Sequence, residues 1–266
     1  MLKENLFLIQ HFKLKNKNTL LLNIFKWYHN CNSTHFFSFK ENTKFSEIKK
    51  NTYLDDSSPQ NTKHKDSISE RSKIFVKSKT LLELKEEINE FEGCALKKTA
   101  SNMVFSDGNS KSDVMLIGEA PGEEEDKTGI PFKGQAGLLL DKMLNAIGQN
   151  RDNTYITNLI FWRPPGNRNP TEEEIDICLP FVIRHIELVK PKILILTGAI
   201  AAKAILKENI GIIQLRGKWN NLKISKSLSI KTMPIFHPAF LLRQPSRKRE
   251  AWEDLKKIKS EIDLIT

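Results

Sequence analysis

Cysteine is scarce in this 266-residue chain: three residues, at positions 31, 94 and 178. They are too few and too widely spaced for a disulfide framework, and a reducing interior is the simpler compartment. No run of 18 or more apolar residues is present, which excludes a membrane-spanning helix by length. No internal repeat is visible, which excludes solenoid and propeller architectures. Walker A, G-x-G-x-x-G and G-x-S-x-G patterns are all missing, which ranks last an unrelated nucleotide-binding domain or α/β hydrolase. Acidic residues are scarce only at the start: residues 1–80 hold 15 Lys and Arg against 7 Asp and Glu, whereas residues 81–266 hold 27 against 25. Most of the formal charge of +10 therefore sits on the leader. Any affinity of the remainder for a polyanion must come from local clusters rather than a global field.

Two regions follow from this. Residues 1–79 are polar and basic, with Asn, Lys, Ser and Thr abundant and aromatics scattered without period, the composition of a disordered extension. The leader fits an organelle transit peptide or a loose basic tail; "LLLNIF" is too short for a secretory signal. Otherwise a cytoplasmic, nucleoid-associated protein is expected. Residues 80–266 carry regular periodicity. Thr80 is a good N-cap, Leu81, Leu84, Ile88 and Phe91 share a helical face, and Gly93 is placed to end that helix. "DVMLIGE" (113–119) and "KILILTG" (192–198) read as buried strands, "TYITNLI" (154–160) as a short strand, and "KTMPIF" (231–236) as the end of a fourth. Helices are expected over 136–148, after the Thr171–Glu174 capping box, in "AIAAKAILKE", and over 247–263. Pro180 should bend or divide its helix. Alternating strands and helices argue for a parallel sheet covered on both faces, with ligands at the carboxyl ends of the strands.

Three segments carry chemistry. "GEAPGEEEDKTGIPFKGQAG" (118–137) joins a strand to a helix through a tight Gly- and Pro-rich loop with four consecutive carboxylates. Alone, such a loop is an ordinary connection, and an acidic run an ordinary solvated face. "TNLIFWRPPGNRNP" (157–170) offers Asn158, whose amide matches a base edge bearing adjacent O and N–H groups, and a stiff loop with Arg163 and Arg168 suited to phosphates. A satisfied strand-end Asn and a plain surface loop are the ordinary alternatives. "FHPAFLLRQPSRKREAW" (236–252) offers His237 at a strand end, able to donate to a developing anion, although a lone His is more often structural. Leu241 and Leu242 before Arg243 suit an apolar wedge with a basic stem, or a core contact. Arg243, Arg247, Lys248 and Arg249 form the densest basic cluster, close to a helix start where the dipole disfavours them.

In their order and spacing, Glu119 in GEAPG, Glu125 in EEED, Phe132 in PF-x-G, Asn158 in YITN and His237 in HPA-x-LLR resemble the family 4 uracil-DNA glycosylases, over residues 80–263. The resemblance implies an α/β/α three-layer sandwich around a small central parallel sheet. It implies a monofunctional base-excision repair enzyme that hydrolyses the N-glycosidic bond of uracil in single- or double-stranded DNA, a monomer with no membrane partner. Phe132 would stack on the flipped base, Asn158 read its polar edge, and His237 stabilise charge on uracil O2. Ala120 would offer its backbone to the base, and Glu119 and Glu125 would line the pocket, one or other of them orienting the attacking water or stabilising the cationic sugar. Arg163, Arg168, Leu242, Arg243, Arg247 and Lys248 would meet DNA. Members of this family typically hold a [4Fe–4S] cluster on four cysteines. Here Cys94 and Cys178 match two positions, while Phe91 and Trp162 stand at the other two, so no cluster is expected. That pattern resembles a cysteine-poor, alphaproteobacterial branch. The lost ligands also leave open a non-catalytic binder of uracil or abasic lesions.

Overall fold

The computed structural model describes residues 75–265; all that is expected of residues 1–74, Cys31 included, lies outside them. Six strands form one sheet in the order β1-β3-β2-β4-β6-β5. They are β1 (Asp107–Gly108), β2 (Val114–Gly118), β3 (Tyr155–Asn158), β4 (Ile193–Thr197), β5 (Asn220–Lys223) and β6 (Ser229–Ile235). The four inner strands run parallel, as the alternating pattern predicts. The edges differ from expectation, since β1 and β5 are short and antiparallel. Neither has the apolar run of a buried strand: β1 is the dipeptide Asp-Gly, and β5 is "NNLK".

The helices are α1 (Leu81–Glu90), α2 (Glu123–Thr128), α3 (Gln135–Asn145), α4 (Glu172–Val189), α5 (Ala199–Leu206), α6 (Ile212–Leu215), α7 (Pro238–Arg243) and α8 (Lys248–Ile265). Residues of one parity in the strands, such as Leu116, Ile156, Ile195 and Ile235, bury against Leu140, Met143 and Leu144 of α3 and Trp252, Leu255 and Ile258 of α8. The opposite parity meets α4, where Tyr155 Oη lies 2.6 Å from His185 Nε2. The result is the expected three-layer α/β/α sandwich.

Local chemistry sets the helix ends. Thr80 Oγ1 accepts the Glu83 N–H at the start of α1. Thr171 and Glu174 cap α4 reciprocally. Gly93 does not cap α1, which ends at Glu90 with Phe91 extended. Gly93 serves instead to admit the Phe91 ring, which a Cβ there would meet at 2.3 Å. Pro180 does not divide α4: the helix runs 18 residues through it. One lost backbone hydrogen bond is outweighed by burial of Cys178, Phe181, Val182, His185 and Ile186 along the same face.

Candidate active site

The carboxyl ends of β2, β3 and β6 converge on Gly118. The register pairs Gly118 with Asn158, and the ladder continues past both strands, with Leu159 N–H donating to Gly118 O and Ile160 N–H to Glu119 O. A Cβ on Gly118 would lie 2.4 Å from Asn158 Oδ1 and 2.5 Å from the Phe132 ring. Glycine is therefore required as a floor, and the amide and the ring meet above it. Asn158 is only 2% exposed, and its amide hydrogen-bonds no other described residue. The amide is left available to a ligand's adjacent acceptor and donor.

Phe132 is brought in by the loop before α3. Its ring stacks on His237, centroids 5.7 Å apart and planes 27° apart. Its backbone lies in the left-handed region at φ 55°, uncommon for a bulky residue and a mark of a conformation imposed by its surroundings.

His237 follows β6, and Pro238 opens α7 behind it. The Nδ1 atom accepts the Ala239 N–H at 3.1 Å, so the neutral ring carries its proton on Nε2. Burial, then the positive charge of Arg243, pull His237 down to about 4, against an opposing effect of Glu125. At neutral pH it is a neutral donor.

Glu119 is half-buried, and burial raises its carboxyl above the ordinary range, with Arg243 pulling the other way. Ala120 follows it, also half-buried. Glu125 lies near enough to His237 to act on it electrostatically, and its oxygens are held by backbone donors. One carboxylate oxygen accepts the Gly122 N–H at 3.0 Å, and the other accepts Lys133 and Gly134 N–H at 2.7 and 2.8 Å. Its oxygens tie the two ends of the loop together, so it braces the pocket wall. Asp126 likewise accepts Ser101 and Asn102 N–H. Half of the acidic run is thus internal bracing, while Glu123 and Glu124 pair with Lys127 on the surface.

The basic residues are not equivalent. Leu242, 43% exposed, and Arg243 project from α7 directly after His237. Arg163 donates to Asn167 Oδ1, Arg168 forms a two-pronged pair with Glu174 at 2.6 and 2.9 Å, and Arg247 pairs with Glu250. Lys248 is 4% exposed and packs inside the start of α8, so the expectation of a surface cation there is corrected. The periodicity that makes α8 amphipathic turns it inward.

Cys94 and Cys178 come together as fully buried neighbours. Their mutual hydrogen bond lowers Cys94 to about 7, and the same bond together with burial pushes Cys178 up. Phe91 packs edge-on against Phe181 at 5.1 Å, and Trp162 edge-on against Phe161 at 6.1 Å, both in apolar surroundings. Among the described residues, two thiols do not make the donor set of a four-thiolate cluster.

Sequence reasoning missed two parts of this site. Gly118 was legible only as part of a turn, although a glycine closing a buried strand signals a close approach. Arg151, whose guanidinium donates to the Phe132 carbonyl at 2.5 Å, lies in no motif, and nothing local distinguishes it.

Residues 105–256 match the family model of the uracil DNA glycosylase superfamily. Among similar proteins, a type-4 uracil-DNA glycosylase of Archaeoglobus fulgidus is 39% identical over 65% of this chain and 88% of its own length. One from Saccharolobus solfataricus is 40% identical over 66% of this chain and 84% of its own. One from Thermotoga maritima is 35% identical over 71% of this chain and 98% of its own. The sandwich, the glycine-floored pocket and these matches agree: the chain belongs to the uracil DNA glycosylase superfamily.

Proposed function

We infer that this chain excises uracil from DNA by hydrolysing the bond between uracil N1 and the sugar C1′, releasing free uracil and leaving an abasic site. The observation that carries the reading is the convergence of Asn158 and Phe132 over Gly118, with His237 against the Phe132 ring. An amide supplies a donor and an acceptor side by side, the match for uracil O4 and N3–H. The Phe132 ring supplies a face for the extruded base. As the bond breaks, its electrons pass to the base, and the His237 Nε2–H donates to the charge growing on O2. The positive charge left at C1′ is met by Glu119, whose carboxylate, held by no other hydrogen bond among the described residues, is the group we assign to orient the attacking water and take its proton. These interactions strengthen as charge develops, which is the condition for lowering the barrier. No covalent intermediate is required.

Leu242 and Arg243 are assigned to the duplex, the leucine entering the stack and the arginine meeting phosphate. Ala120 is assigned a backbone contact to the base. Arg163, Arg168 and Arg247 are assigned lesser roles, because each already has a protein partner. We propose further that the protein acts as a monomer, in the cytoplasm, on single- and double-stranded DNA, and without an iron–sulfur cluster, the Phe91 and Trp162 rings replacing two ligands with packing. Iron and acid-labile sulfide in protein purified without air should be absent. About four of each per chain would reject the cluster-free reading.

Incubation with an oligonucleotide bearing one uracil, then alkali, tests the activity. Cleavage at the uracil should need alkali and fall on the order of 10²-fold in Asn158→Ala and His237→Ala. Folded protein that binds this DNA and releases no base would instead make the chain a lesion binder.

A further inference from the structure

Phe132 holds a backbone conformation that an aromatic residue does not adopt unaided, and the structure contains the device that imposes it. Arg151 stands on a short 3-10 turn (Arg151–Asn153) capped by Asn150. Its guanidinium donates from Nη2 to the Phe132 carbonyl at 2.5 Å and from Nη1 to the Pro131 carbonyl at 3.0 Å. The same group donates from Nε to Asp141 Oδ1 of α3 at 2.9 Å and from Nη1 to Asp107 Oδ2 of β1 at 2.5 Å. One planar fork therefore ties two consecutive loop carbonyls to a helix and a sheet edge, the geometry that a guanidinium provides and an ammonium does not. The Phe132 carbonyl has little room to move otherwise: a Cβ on Gly137 would lie 1.8 Å from its oxygen. Glycine in α3 and arginine in the turn confine the same peptide from two sides.

We propose that Arg151 is a positioning residue for base excision: by fixing the Phe132 carbonyl it sets the plane of the ring on which the base stacks, alongside His237. The inference rests on the reading of Phe132 as the stacking ring. Arg151 acts at a distance from the chemistry, through a backbone it clamps. An off-plane ring misaligns the base against Asn158 and His237, and small misplacements of a bound substrate are expensive in rate.

A double-mutant cycle tests this. Arg151→Lys keeps a positive charge between Asp107 and Asp141 but cannot make the four bonds. Arg151→Met removes the fork, and if it fails to fold, the lysine variant carries the test. With thermal melts confirming folded protein, kcat/KM for uracil release should fall at least about 10-fold in Arg151→Lys, the loss expected for a charge-assisted hydrogen bond. In a Phe132→Ala background the same substitution should change kcat/KM by less than about 2-fold, because the ring through which it acts is gone. Equal losses in both backgrounds, or wild-type kcat/KM in Arg151→Lys alone, would overturn the inference. Wild-type activity in Phe132→Ala would remove the stacking reading, and this inference with it. A wild-type protein that releases no uracil would remove the proposed function itself.

Discussion

Glu119 and Glu125 are six residues apart and chemically identical, yet their surroundings separate them. Glu125 is saturated by three backbone N–H donors, whereas Glu119 stands half-buried with a raised carboxyl pKa and Arg243 as its electrostatic neighbour. Replacing each by Gln should therefore give opposite signatures. Glu125→Gln should lower the melting temperature, costing about 2–3 kcal/mol as charge-assisted bonds are lost. Glu119→Gln should keep its stability and lose turnover by about 10²-fold. If Glu119 acts ionised, kcat should decline as pH falls through a pKa above the ordinary carboxylate range, and Glu119→Gln should lack that limb. A pH profile with the same limb in both proteins would place the ionisation elsewhere. The sequence shows four carboxylates in a row but not which two turn inward, because that depends on α2 being a helix of 6 residues that starts after Gly122.

At the scale of elements, strands and helices with strong periodicity were legible: β2, β4, α1, α3, α4 and α8 all fall where apolar spacing puts them. The edges β1 and β5 were not, because edge pairing is decided by what lies beside a strand rather than by its own side chains. Of the two outcomes expected at Pro180, a bend or a break, the break does not occur, since local propensity yields to the buried face of α4. The capping box at Thr171 was readable, yet its linkage to Arg168 was not. That linkage means one residue serves both the helix start and the loop after Asn158. Thr171→Ala should cost about 1 kcal/mol by loss of the cap. It should also loosen the Arg163–Arg168 loop, read as faster amide exchange there than in β4. Unchanged exchange with lowered stability would confine the cap to α4.

Across the whole molecule, buried histidines link stability to pH. His185 is fully buried, drawn down to about 3 by desolvation, and His237 is drawn to about 4 chiefly by burial. For each, the folded pKa lies below the unfolded value of about 6.5, so the unfolded chain binds the extra proton. Their stabilisation is complete above about pH 6.5 and is lost as pH falls through the folded pKa values. Asp254, raised to about 6 by burial despite its pair with Arg216, works in the other direction, adding stability as pH falls toward about 4. His185→Phe isolates one contribution: the variant should lose less stability than wild type between about pH 6.5 and pH 4, by up to about 1.4 kcal/mol per pH unit. Parallel curves would show that His185 is not buried neutral.

At this scale the pocket is where the parallel strands β2, β3 and β6 end, and its centre is a residue with no side chain. Single-turnover release of uracil by Gly118→Ala, beside wild type, tests that most directly. Folded protein whose excision falls by at least about 10²-fold is expected, because the added methyl occupies the place where Asn158 and the Phe132 ring converge. Excision by Gly118→Ala at the wild-type rate would contradict it.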